Sequence, residues 1–325
     1  MITDFSKLAA YHGAGWSHRG ACLGAEIEGD QGIWSTMRVD SEYKRLKAVL
    51  LYCPGAEVDD IEQPNAVQHL ARIDRDQIAN EFENLAKTYQ SLGVSVHFIQ
   101  PDGLQPASRL KKYNMMFARD LFFNTKEGAV IARMGSTVRA GEEKFAAHAL
   151  ARLAVPINKT IANTGLFEGA DALWLDPKTV VFGLGPRSNR DGFLQVQEVL
   201  RLQGVEAVTV DLPVGTQHLL GILQLVDKNL ALVRTQIASA PLIQLLKSKK
   251  VSIIDVEETE EVLVRQGMNV VTVRPRTVVM PVNCPDLKRL YESCGITVAA
   301  EVRISQLLNG AGGIACATGI LAREI

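Results

Sequence analysis

Residues 170–185 read ADALWLDPKTVVFGLG. Two short runs of apolar, β-branched or aromatic residues flank Asp176-Pro177-Lys178, whose turn-forming side chains close a hairpin between two buried strands. Downstream, Gly192 to Gln203 carries the apolar spacing of an amphipathic helix, Gly204 stops it, and VEAVTVDL (205–212) supplies a third strand. The unit is therefore strand, turn, strand, helix, strand.

The same order recurs about five times. The first unit opens at Leu46 (LKAVLLYCPG), passes through a helical stretch from Asp76 to Leu92, and closes on Val94 to Ile99. The second opens at Met115 (MMFARDLFF), turns at Lys126-Glu127-Gly128, continues AVIARM and has a helix after Gly141. The fourth opens at His218 (HLLGILQLV), turns at Asp227-Lys228-Asn229, and runs LALVRT, PLIQLLKSKK, VSIIDV. The fifth reads NVVTVRP, Arg276, TVVMPV, DLKRLYESCG, ITVAAEV. No unit is large enough to hide its own apolar faces, so the five must pack around a shared axis. Paired strands before each helix argue against an open doubly wound sheet. The expected fold is α/β, a pseudo-fivefold, five-bladed propeller of ββαβ-like repeats. It occupies residues 41–325 as one catalytic domain, behind an irregular N-terminal extension, residues 1–40. That extension is glycine-rich and carries Trp16, His18, Arg19 and Trp34, aromatic content that suits packing on the rest or ordering on binding better than a purely disordered tail.

Composition narrows the function classes. With 47% hydrophobic and 22% charged residues over 325 positions and a net charge of −1, the chain reads as soluble and globular. It lacks the basic footprint of a nucleic-acid binder or a protein that docks on anionic membranes. No run of about 18 apolar residues and no secretory leader is seen. The five cysteines, Cys22, Cys53, Cys284, Cys294 and Cys316, are odd in number and lack metal-ligand spacing. That argues for a reducing, cytoplasmic setting without a disulfide frame or zinc site. A small neutral or zwitterionic ligand fits best, and a homo-oligomer is compatible with the pattern.

Reactive residues recur at the repeat interval. Asp120, Glu168, His218, Asn269 and Cys316 lie 48, 50, 51 and 47 residues apart, so in a fivefold ring they converge on the axis. Each has a bland reading alone: a solvated carboxylate, a satisfied histidine, a small buried thiol. Together they place two carboxylates, an imidazole and a thiol at one locus, which is the composition of a nucleophile, base and orienter set. Cys316 sits behind Gly312-Gly313, where glycines permit close approach to a substrate or a positive φ. Cys53, Cys284 and Cys294 read as buried structural thiols.

The repeats, together with FARD (117–120), FEGAD (167–171), QHLLGILQLVDKN (217–229), MNVV (268–271) and GGIACATGILARE (312–324), resemble the guanidino-group-modifying superfamily. Its members are arginine deiminases, dimethylargininases and amidinotransferases, and its fold is the pentein propeller. The resemblance covers roughly residues 41 to 325. It implies Cys316 as nucleophile, His218 as general acid and base, Glu168 as the carboxylate paired with it, and Asp120 as the holder of the guanidinium. It further implies Arg187 as the grip on a substrate carboxylate and Arg139 as a second substrate-binding arginine. No metal or organic cofactor is implied.

The chemistry suits those residue types. A carboxylate can bind a planar guanidinium bidentately and turn its carbon toward a thiol. Only the thiolate attacks well, so Cys316 needs cationic His218 or the substrate's own charge beside it. One departure stands out: deiminases and amidinotransferases commonly carry an aspartate two residues after the catalytic histidine, where this chain has Leu220. Dimethylargininases also lack an acid there, so an apolar wall points to an N-substituted guanidine. Against that, Arg119-Asp120 is the deiminase and transferase form. Alternatively Leu220 turns into the core and Asp171 or Asp227 takes over. The expected activity is hydrolysis of a C–N bond at the guanidino carbon of arginine or an N-substituted arginine through a covalent thiouronium. The alternatives are amidino transfer to an amine and a non-catalytic pentein binding protein.

Overall fold

The computed structural model describes residues 9–11, 15–16, 19–29, 32–101 and 112–325. His18, singled out in the extension, lies outside the described residues. Among the described residues fifteen strands form five separate three-stranded sheets. Blade two holds β3 (Phe122–Thr125), β4 (Gly128–Ile131) and β5 (Ile157–Thr160), and blade three holds β6 (Ala172–Asp176), β7 (Thr179–Leu184) and β8 (Glu206–Asp211). Blade four is β9 (Leu223–Asp227), β10 (Leu230–Val233) and β11 (Ser252–Asp255), and blade five is β12 (Val271–Arg274), β13 (Thr277–Pro281) and β14 (Thr297–Val302). In each the first two strands are an antiparallel hairpin and the third pairs parallel to the second.

The parallel pairing needs a crossover, and a helix supplies it in every blade. These are α2 (Arg75–Ser91), α3 (Glu143–Arg152), α4 (Arg190–Leu202), α5 (Ala240–Ser248) and α7 (Pro285–Ser293), which follow the short α1 (Leu23–Glu28) and are joined by the short α6 (Glu260–Leu263). Sequence signals place several of the starts. Asp74 accepts from the Gln77 N–H to begin α2, and Asn189 from the Gly192 N–H to begin α4. Ile78, Phe82, Leu85, Ala86 and Tyr89 form the buried stripe of α2, the face its 3.6-residue periodicity predicts.

Blade one closes the ring. Its middle strand β1 (Leu46–Leu51) pairs parallel with β2 (Ser95–Phe98) and antiparallel with β15 (Gly319–Arg323), the last strand of the chain, which follows α8 (Ser305–Asn309) and α9 (Ile314–Ala317). The C-terminal strand thus supplies the hairpin partner that the first unit lacks in sequence. Two other boundaries differ from the sequence reading. Met115–Leu121 and His218–Ile222 are turns, including single 3-10 turns at Ala118–Asp120 and Leu219–Gly221, so the second and fourth units begin their strands later than their apolar runs suggest. The extension is not wholly irregular: it contains α1 and packs on blade two, where Ser35 N–H donates to Ala154 O (2.9 Å) and Val39 N–H to Thr125 O (3.0 Å). Among the described residues no helix is long and apolar enough to cross a membrane.

Candidate active site

A cavity of about 210 Å³ opens at the hub, bordered by Asn114, Phe117, Asp120, Arg139, Arg187, His218, Leu220, Asn269 and Cys316 among others. Residues from every inter-blade turn meet there. Asp120 ends the 3-10 turn before β3, Glu168 and His218 each precede the equivalent turns at Gly169–Asp171 and Leu219–Gly221, and Cys316 lies in α9 just before β15.

The near-equal spacing of these residues conceals an offset. By turn position Asp120 corresponds to Asp171, while Phe117 corresponds to Glu168 and His218. Asp120 still faces the same hub because a 3-10 turn has three residues per turn, so positions three apart share a face. His218 Nδ1 lies 4.0 Å from Asp120 Oδ1.

His218 Nε2 donates to Glu168 Oε2 at 2.7 Å. Glu168 is fully buried, and its other oxygen accepts from Gly135 N–H (3.0 Å) and Arg187 Nη1 (3.3 Å). Burial opposes ionisation of Glu168, but its bond to His218 and the charges of His218, Arg139 and Arg187 outweigh it and hold the carboxyl down at about 2. Burial likewise disfavours the imidazolium, yet the charges of Asp120 and Asp171 and the bond to Glu168 push His218 up to about 9. Burial and the negative charge of Asp120 both raise the Cys316 thiol, with the Asn269 amide opposing. At neutral pH the resting site therefore holds a neutral thiol beside an imidazolium whose Nδ1 faces Asp120.

Asn269 holds the Cys316 thiol in place. Its Nδ2 donates to Cys316 Sγ (3.1 Å) and its Oδ1 accepts from the N–H groups of Ala315 (2.7 Å) and Cys316 (3.3 Å). The repeat interval marks Asn269, but only these contacts give it a task. Of the two expectations for the glycine pair, a positive φ is not met, since neither glycine has one whereas Ala311 does (71°), while Gly312 does border the cavity. A Cβ on Gly312 would stand 2.3 Å from the Phe117 ring, and one on Gly313 2.7 Å from Asn269, so the pair seats the loop against the two residues that shape the pocket.

The two arginines have distinct surroundings. Arg139 is buried and satisfied by acids and carbonyls: Nη1 donates to Asp120 Oδ2 (2.5 Å), Nε to Glu142 Oε2 (2.9 Å) and Nη2 to Asn114 O (3.1 Å). Sequence gave no hint of Glu142 or Asn114, which lie outside the repeat interval. Arg187 bridges Glu168 and Gln217 Oε1 (2.6 Å) on the cavity wall. Asp120 Oδ1 is buried, with no hydrogen-bond partner among the described residues.

Leu220 is buried and borders the cavity. Neither carboxylate proposed to replace it does so. Asp171 accepts from Ser188 Oγ (2.6 Å) and Leu219 N–H (3.0 Å), burial raising it to about 7, and Asp227 pairs with Arg276 at a hairpin turn (2.8 Å). Asp120, Glu168 and His218 offer donor atoms within 4.8 Å of one another, close enough for a metal. Arg139 and Arg187 already compensate these carboxylates, so a dication would face two guanidinium charges. Of the remaining thiols Cys284 is buried, Cys53 and Cys294 are half-buried, Cys22 is exposed, and all are unbridged.

The family model described as N,N dimethylarginine dimethylhydrolase, eukaryotic, matches residues 54–321. A dimethylarginine dimethylaminohydrolase variant from Pseudomonas aeruginosa, complexed with citrulline, aligns with a TM-score of 0.66 at 20% identity over 85% of this chain and 99% of that one. SxtG, an amidinotransferase from Microseira wollei in the saxitoxin pathway, gives 0.68 at 14% identity over 90% and 98%. The N-terminal domain of ArgZ, a cyanobacterial arginine dihydrolase bound to substrate, gives 0.70 at 18% identity over 85% and 98%. At these identities the solved structures speak to fold, which is the five-bladed pentein propeller they share. A search of curated proteins finds no match. On the extent of the family match, the chain belongs to the N,N-dimethylarginine dimethylhydrolase family.

Proposed function

We propose that the protein hydrolyses a C–N bond at the guanidino carbon of an arginine, with N-substituted arginine preferred, through a covalent intermediate on Cys316. The observation that carries this reading is the buried, unpartnered Asp120 Oδ1 beside His218 in the cavity that Cys316 borders. A buried acceptor without a donor costs roughly 1–3 kcal/mol, and a guanidinium edge relieves that cost while pointing its carbon at the thiol. Arg139 anchors the far oxygen of Asp120 while bordering the cavity, and Arg187, beside Gln217 at the cavity wall, takes the substrate carboxylate. Leu220 leaves one edge of the guanidine without a polar partner, which favours an alkylated nitrogen there over an N–H.

In this mechanism substrate charge lowers the thiol, which releases its proton to solvent, and the thiolate adds to the guanidinium carbon to give a neutral tetrahedral centre. His218, cationic and held through Nε2 by Glu168, gives its Nδ1 proton to the departing amine, leaving an S-alkylthiouronium cation and a neutral imidazole. Nδ1 then takes a proton from water as its oxygen adds to the thiouronium carbon, and collapse expels the thiolate while the proton left on that oxygen passes to solvent, giving the neutral ureido product. The five unbridged thiols support a reducing, cytoplasmic setting.

The test is a panel of arginine, N-methylated arginines and guanidinoacetate, read for ureido product and released amine with and without an added primary amine. Ureido product, fastest with the N-methylated substrates and indifferent to the added amine, is the expected result. Transfer of the amidino group to the added amine assigns amidinotransfer instead, and no turnover of any compound leaves a binding role.

A further inference from the structure

On the propeller axis, behind Leu220 and Ala315, lies a second, much smaller cavity of about 20 Å³, also bordered by Glu42, Arg119, Gln224, Thr272 and Arg323. Its charge does not balance. Arg119 and Arg323 bring two guanidinium groups, and Glu42 brings one carboxylate, already engaged by Arg119 Nη2 at 2.8 Å and approached by the Trp174 N–H at 3.3 Å. Arg323 is only 4% exposed. Its Nη1 donates to the carbonyls of Lys44 (2.6 Å) and Thr272 (2.8 Å), but its Nε is buried with no acceptor among the described residues. The neutral donors nearby are committed: Gln224 Nε2 donates to Leu220 O and Thr272 Oγ1 to Leu225 O.

A buried guanidinium whose charge and N–H are both uncompensated is costly, and a small anion remedies both at once, whereas water supplies an acceptor but no charge. The space admits one particle of about the size of a water molecule, which excludes phosphate, sulfate and carboxylates. We propose that this axial cavity is a binding site for a single monatomic anion, chloride being the halide tested first, held between Arg119 and the Nε–H of Arg323. Burial, with a smaller push from the charge of Arg119, draws Arg323 down to about 10 against the pull of Glu42. The anion ties the final strand β15, which carries Arg323, to Arg119 at the opening of blade two, and it stabilises the closed ring rather than taking part in the reaction.

Thermal unfolding of the full chain in potassium chloride, bromide and gluconate at equal ionic strength tests the site. The midpoint is expected to rise with chloride or bromide, by about 4 °C at a hundredfold excess over the dissociation constant, and to stay lower in gluconate. Arg323→Met, which keeps an apolar stem but removes the charge, is expected to lose the halide dependence. Should that variant fail to fold, wild-type crystals grown in bromide give the same answer, with an anomalous peak in the cavity. Equal midpoints in the three salts, or a cavity without bromine signal, overturn the proposal.

Discussion

At the scale of single residues, the site turns on how Glu168 and His218 set each other's charge. His218 rises from 6.5 to about 9 and Glu168 falls from 4.5 to about 2, their mutual bond contributing to both, with Asp120 and Asp171 adding to the first and Arg139 and Arg187 to the second. The stabilisation is whole between about 4.5 and 6.5; it fades as pH rises toward about 9, where the imidazolium is lost, and as it falls toward about 2, where the carboxylate is lost. Because the departing amine needs the His218 proton, turnover is expected to fall on an alkaline limb near pH 9. Glu168→Gln keeps the shape but removes the charge, so that limb is expected to move to lower pH, with kcat at neutral pH falling roughly a hundredfold. A pH profile of kcat for both forms checks this; an unmoved limb separates Glu168 from the imidazole. The meeting of Cys316, His218, Glu168 and Asp120 at the hub is legible in sequence because side-chain chemistry and repeat interval coincide. Asn269 shares the repeat interval, but its task is not legible: its contact with Cys316, like those of Glu142 and Asn114 with Arg139, exists only after the chain has folded.

At the scale of elements, the hairpin turns and crossover helices are the most legible part of the molecule, because strand runs, turn residues and helical periodicity are local signals. The misread segments are Met115–Leu121 and His218–Ile222, apolar enough to resemble strands, yet turned so that Asp120 and His218 reach the hub. Apolar content marks burial, and burial at a hub does not distinguish a strand from a 3-10 turn. The β3–β4 hairpin shows how strictly one local choice binds. Gly128 has φ +123°, and a Cβ there would stand 2.3 Å from Pro156 O, where β4 meets the start of β5. Gly128→Ala is expected to destabilise the fold by about 1–3 kcal/mol, measured by urea unfolding. A loss below a few tenths of a kcal/mol would show that the hairpin relaxes freely.

At the scale of the whole molecule, ring closure by β15 couples the two ends of the chain to the chemistry. Cys316 lies three residues before the strand that pairs with β1, and Asn124 of blade two donates from its side chain to Leu321 O in that same strand. Cys316 therefore sits beside the pairing that closes the ring. Sequence shows five units but not that the first borrows its outer strand from the C-terminus, because that pairing joins Leu46–Leu51 to Gly319–Arg323 across nearly the full chain and leaves no local trace. The central claim is that side chains from separate blades meet at the hub so that the Cys316 sulfur attacks a guanidino carbon. Acid-quenched protein taken during turnover of an N-methylated arginine and digested for peptide mass spectrometry tests it most directly. The account predicts a substrate-derived adduct on the peptide containing Cys316, with none there in Cys316→Ser, which should be folded and inactive. Steady turnover by Cys316→Ser, or an adduct confined to another cysteine, would contradict it.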